Sequence, residues 1–74
     1  MILRKGDVVV ASNGERSIEA HVMIASPNGR SLFLVWSDGM LGGYVGMMPV
    51  LQDESGQYTA LMDGMPITLT RKDA

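Results

Sequence analysis

Ser31-Leu32-Phe33-Leu34-Val35-Trp36-Ser37 is the stretch whose reading decides the fold of this chain. It holds the only Phe and the only Trp, and it is entered through Asn28-Gly29 and left through Asp38-Gly39. A run of β-formers closed at both ends by Asn-Gly and Asp-Gly predicts a central strand with a hairpin on either side. No other stretch concentrates such large side chains, so the core is expected to condense on it.

Upstream, Ser17 to Ser26 alternates. Ile18, Ala20, Val22 and Ile24 fall on one face, and Glu19, His21, Met23 and Ala25 on the other. That period predicts a half-buried strand and not a helix. Pro27-Asn28-Gly29-Arg30 turns the chain back, and a two-residue Asn28-Gly29 turn fixes the register. Ser26 then opposes Ser31, Ile24 opposes Phe33, Met23 opposes Leu34, Val22 opposes Val35, and His21 opposes Trp36. On this register Val22, Ile24, Phe33 and Val35 share the core face with Ile18 and Ala20, and all four are expected to be buried. The opposite face carries Glu19, His21, Met23, Leu32, Leu34 and Trp36. It is too apolar for open solvent and too polar for an interior.

Gly6 to Ser12 predicts a first strand, with Val8 and Val10 on one face and Val9 and Ala11 on the other. Asn13-Gly14 ends it. Beyond Asp38-Gly39 comes the least regular stretch, Met40 to Leu51. There Gly42, Gly43 and Gly46 predict bends or close backbone approach, and Pro49 predicts an edge or a strand end. Register carried through the Asp38-Gly39 turn sets Gly43 opposite Leu34 and Gly42 opposite Val35. After a polar turn at Gln52 to Gln57, Tyr58 to Met62 and Met65 to Thr70 predict two short strands about Asp63-Gly64. Asn, Asp or Ser precedes Gly14, Gly29, Gly39, Gly56 and Gly64, so the same turn signal separates six strand segments. No amphipathic helical period interrupts them, including within residues 40–56.

The order of these signals, from Lys5-Gly6-Asp7-Val8-Val9 to a closing Gly64-Met65-Pro66-Ile67-Thr68-Leu69, resembles the rhythm of SH3-like barrels. That class includes binding modules and ribosomal and transcription-factor domains, so the resemblance implies an architecture and no particular activity. The expected fold is all-β: one domain over residues 1–74, a small antiparallel SH3-like barrel or open sandwich of five or six short strands.

Composition narrows the function classes. Seventy-four residues bury only about 60% of their unfolded surface, so the domain has little stability to spare. The absence of cysteine excludes disulfides, thiolate metal sites and cysteine nucleophiles. An apolar fraction of 46% excludes a disordered chain, and a net charge of −2 supplies no general field for nucleic acid. Met1-Ile2-Leu3 followed by Arg4-Lys5 has the wrong order for a signal peptide. The apolar runs fall far short of the ~20 residues that span a bilayer. A cytoplasmic protein without membrane contact is expected.

Catalytic signals are missing. The one histidine, His21, has Glu19 beside it on the same face but no partner of nucleophile type, so it is read as a packed side chain and not as part of a triad. Asn13, Asp38 and Asp63 would gather at one end of a meander and could offer oxygen ligands to a hard cation. They are also the residues that tight turns require, and that reading is preferred, so no metal is expected. No phosphate loop or dinucleotide fingerprint occurs, and no cofactor is expected. Met40, Met47, Met48, Met62 and Met65 are read as fillers beside irregular backbone.

The chain is therefore expected to be a non-enzymatic protein-interaction or self-association module. Its candidate contact residues are His21, Met23, Leu34 and Trp36, with Trp36 as the anchor. Three covers for their face are open: closure of the barrel, a second copy in a homodimer, or another protein. The alternative is a nucleic-acid adapter. Arg4, Lys5, Arg71 and Lys72 are four of the six cations and would cluster if the first and last strands pair. The acidic balance of the chain argues against nucleic acid.

Overall fold

The computed structural model describes residues 2–37 and 46–72. It contains β1 (Val8–Ser12), β2 (Ser17–Ala25), β3 (Ser31–Trp36), β4 (Gly46–Gln52), β5 (Tyr58–Thr59), β6 (Leu61–Met62), β7 (Met65–Pro66) and β8 (Thr68–Arg71). Among the described residues there is no helix, and so none long and apolar enough to cross a membrane. The strands form a six-stranded antiparallel sheet in the order β5-β4-β3-β2-β1-β8 and a separate pair, β6-β7.

One hairpin nearly closes this sheet into a barrel. The two strands expected over 58–62 and 65–70 are each interrupted, the first at Ala60 and the second at Ile67. Outside the interruption, β6 and β7 pair about Asp63-Gly64, whose φ angles of 56° and 77° are those of the mirror-image turn that Asp-Gly favours. Inside it the two arms part. β5 pairs with β4 while β8 pairs with β1, so one hairpin supplies both ends of the six-stranded sheet. The Ile67 N–H donates to the Ala60 carbonyl at 3.2 Å where the arms separate. β5 and β8 are left facing each other across a narrow seam lined by Gly56, Gln57, Tyr58, Thr68 and Leu69.

The barrel interior is aliphatic. Leu3, Leu32, Leu34, Val9, Val22 and Val50 are its largest fully buried side chains. Burial of each is worth about 1.5–3 kcal/mol, which is the main favourable term in a domain without staples. One buried polar group ties distant segments together. The Tyr58 hydroxyl donates to the Gly29 carbonyl at 2.8 Å and accepts the Leu3 N–H at 3.0 Å, joining β5, the β2–β3 loop and the N-terminal segment.

Two registers differ from those expected. Between β2 and β3, Ala25 opposes Leu32 and Ile24 opposes Phe33, as the loop predicts, but Val22 opposes Leu34 and His21 opposes Val35. The register slips at Met23, which is the extra residue of a β-bulge. Val22 is held from its other side, where its N–H donates to Asp7 at 2.9 Å and its carbonyl accepts the Gly6 N–H at 2.9 Å. With Val22 pinned there, the surplus residue falls at Met23. A one-residue slip exchanges the faces of everything beyond it. Val22 and Val35 are buried as expected, whereas Ile24 is 56% and Phe33 40% exposed. The expectation that all four line the core is thus corrected for Ile24 and Phe33, which are exposed, and for Val35, which is buried on the outer face and not in the core cluster. Leu32 and Leu34 take the interior instead.

Between β3 and β4 the expected two-residue connection is also replaced. Leu34 opposes Met48, Val35 opposes Met47, and Trp36 opposes Gly46. The link from Trp36 to Gly46 is therefore longer than a tight turn, and Asp38-Gly39, Gly42 and Gly43 lie outside the described residues. Gly46 does fulfil the expectation of close approach: the Trp36 indole lies directly on it, and a Cβ there would collide with the ring. Pro49 sits within β4, yet its missing N–H costs no ladder bond. The Gln52 N–H donates to Arg30, so alternation points the backbone of Met48 and Val50 toward β3 and that of Pro49 away from it. On that side β5 reaches only Leu51 and Gln52, so among the described residues no strand pairs with Pro49 there.

Candidate functional site

The four residues expected to share one contact face are divided between two. His21 and Met23 lie on the outer surface of the sheet, both exposed. Leu34 is fully buried, and Trp36 is half-buried against the core cluster. Of the three covers considered for the Leu32, Leu34 and Trp36 side of β3, closure of the barrel is the one found. The division follows from the slip at Met23, because His21 opposes Val35 and not Trp36.

The same slip builds a different surface. Ile24, Phe33 and Pro49 form one row across β2, β3 and β4, all exposed. In the adjoining row Val35 lies between His21 and Met47. Val35 is 3% exposed, while Met47 at its side is 63% exposed. On the other flank Leu51, 61% exposed, opposes Ser31. Met23, thrown outward by the bulge, completes the margin at 38%. Small soluble domains scatter single exposed apolar residues over their surfaces, whereas here several stand together on one sheet face.

Near this face is a shallow depression of about 260 Å³ lined by Lys5, Gly6, His21, Val22, Met23 and Val35. It places a cation and the imidazole at the rim of the apolar rows. The remaining charge around β1 and β8 is already paired. The Lys72 ammonium lies 2.9 Å from Glu19 and holds that carboxyl below the usual carboxylate range by hydrogen bonding and by its charge. Arg71 lies 3.5 Å from Asp7 and donates to the Ile2 carbonyl at 2.6 Å. β1 and β8 do pair, as the basic-patch expectation requires, which brings Arg71 beside the Arg4–Asp7 turn. Two of the four cations are engaged there with carboxylates, leaving Arg4 and Lys5 exposed on the turn.

The turn cluster weighed as a cation site is engaged in its own contacts. Asn13 Oδ1 accepts the Glu15 and Arg16 N–H groups, and its amide donates to the Met62 carbonyl at 3.0 Å. The Asp63 carboxylate lies 3.1 Å from Arg16. Asn13-Gly14 and Asp63-Gly64 do meet at one end of the barrel, while Asp38 lies outside the described residues. The meeting is a structural bracket between the β1–β2 turn and the β6–β7 hairpin.

Ile24 and Phe33, expected in the interior, join Met47, Pro49 and Leu51, for which the sequence signals no surface role. One signal pointed the other way. Leu32, Leu34 and Trp36 form the bulkier face of β3, and Gly46 opposite Trp36 suits an inward indole.

No protein-family model, curated protein or solved structure matches this chain.

Proposed function

We propose that this chain is a non-enzymatic interaction module that works through the outer face of β2, β3 and β4. The observation that carries the proposal is the contiguous exposure of Met23, Ile24, Phe33, Met47, Pro49 and Leu51 on one sheet surface. An enzyme or a solvating domain gains nothing from holding a phenyl ring and two long aliphatic chains in water. A contact surface gains buried area when a partner covers them. His21 supports the non-enzymatic reading, since it stands exposed at the rim with its neighbour Glu19 already bonded to Lys72. A cytoplasmic setting fits a chain without cysteine. The SH3-like class offers a precedent for binding through the surface of a small barrel, as an analogy of architecture.

The nucleic-acid reading draws less support. Arg71 and Lys72 are compensated by Asp7 and Glu19, so the terminal cluster is not a stripe of free cations.

Both readings meet in one fluorescence experiment on dilute protein. The native chain is expected to bind anilinonaphthalene sulfonate, a probe of exposed apolar surface, and a folded Phe33→Ser variant to bind it much less. A mixed-sequence RNA oligonucleotide is expected to give no binding that weakens with salt. Salt-sensitive RNA binding abolished by Arg4→Ala with Lys5→Ala, together with no dye binding, replaces the proposal by its alternative.

A further inference from the structure

We infer that the occupant of the outer β2–β3–β4 face is a second copy of this chain, packed sheet on sheet. The inference rests on the interaction reading above and supplies its partner. The first ground is area. Met23, Ile24, Phe33, Met47 and Leu51 are 38–63% exposed, which amounts to roughly 500 Å² per copy, so a pair would bury about 1,000 Å², the size at which specific interfaces begin. A face of that size would be the dominant apolar patch of so small a monomer.

The second ground is charge. The Ile24–Phe33–Pro49 row and its flanking Met47 and Leu51 carry no ionisable group, so a two-fold apposition brings no like charges together at its centre. Around β1 and β8, Arg71 and Lys72 are matched within the chain, and the unmatched Arg4 and Lys5 lie at the rim of the face and not within its apolar rows. The third ground is geometry. Pro49 removes the donor from the stretch of β4 that no described strand pairs, which disfavours addition of a partner strand there. Association through the face places two sheets about 10 Å apart. Apolar side chains without backbone hydrogen bonds then carry the contact.

Sedimentation of the full chain from about 1 to 300 μM tests this, a span chosen to bracket affinities typical of small apolar interfaces. The wild type is expected to shift from monomer to dimer across that range. Met47→Lys changes an exposed position and so keeps the fold, verified by circular dichroism. It is expected to weaken the dimer at least about thirty-fold, because the charge is introduced twice across a two-fold interface. Leu61→Lys changes an equally exposed residue on the separate β6–β7 hairpin and is expected to leave the dimer unchanged. A dimer insensitive to Met47→Lys, or one lost equally with Leu61→Lys, overturns the assignment of this face. A wild type that stays monomeric throughout overturns the second copy as occupant. If that monomer still binds the apolar dye through Phe33, the interaction reading survives with another partner. If it does not, both fall.

Discussion

On the inner side of β3, Leu32 and Leu34 are sealed by β2, β4 and the arms of the closing hairpin, and Trp36 lies flat on Gly46. On the outer side Phe33, larger than either leucine, is 40% exposed beside Ile24 and Pro49. Both sides are apolar, so hydrophobicity alone does not decide which becomes core. The decision is made two strands away, where the backbone of Val22 bonds to Gly6 and Asp7 and forces the surplus residue of β2 to Met23. A strand with two greasy faces has its interior chosen by the register of its neighbours. The other face is left largely exposed.

The largest expected effect lies on the inner side. Leu34→Ala removes a fully buried side chain from a narrow barrel and should cost about 2–5 kcal/mol, most of the stability a domain of this size possesses. Phe33→Ala, one position along, should cost about 1 kcal/mol or less when urea unfolding is followed on dilute protein. Equal costs at the two positions would break the distinction between the faces.

Gly46→Ala is a smaller and more local change on the same inner side. Its Cβ enters the space of the Trp36 ring, so the indole must move or β4 must shift. A loss of about 1–3 kcal/mol is expected, with Trp36 emission moving to longer wavelength as the ring gains solvent. An unchanged spectrum would mean that the indole does not rest on Gly46.

Much of the architecture was legible in the sequence. The Asn-Gly and Asp-Gly turns, the alternation of Ser17 to Ala25 and the β-branched run at Val8 to Val10 all mark real strands, and pairing of the first and last strands follows the usual logic of barrels. Turn chemistry also fixes the start of the β2–β3 ladder, since Ala25 opposes Leu32 as read. What was not legible is the bulge, because a surplus residue in a ladder is set by tertiary hydrogen bonds and Met23 carries no local mark of it. The link from Trp36 to Gly46 escaped for a related reason: an Asp-Gly pair signals a turn but does not require the ladder to resume at once. Both differences carry through to the site. Register decides which of two apolar faces is covered, and so His21, Met23, Leu34 and Trp36 were grouped although two of them point inward.

Val22 and Ile24 are buried and exposed respectively on either side of the bulge, and the chain offers a clean way to measure this contrast. It has no cysteine, so single Val22→Cys and Ile24→Cys variants each carry one thiol. Thiol labelling of dilute native protein should proceed at Ile24→Cys with a rate close to that of the unfolded chain. At Val22→Cys, where the side chain is 2% exposed, labelling should be slowed to the rate of opening of the fold. Equal protection at both positions would restore the unbroken alternation of β2, return Ile24 and Phe33 to the core, and remove the outer face on which the proposed function rests.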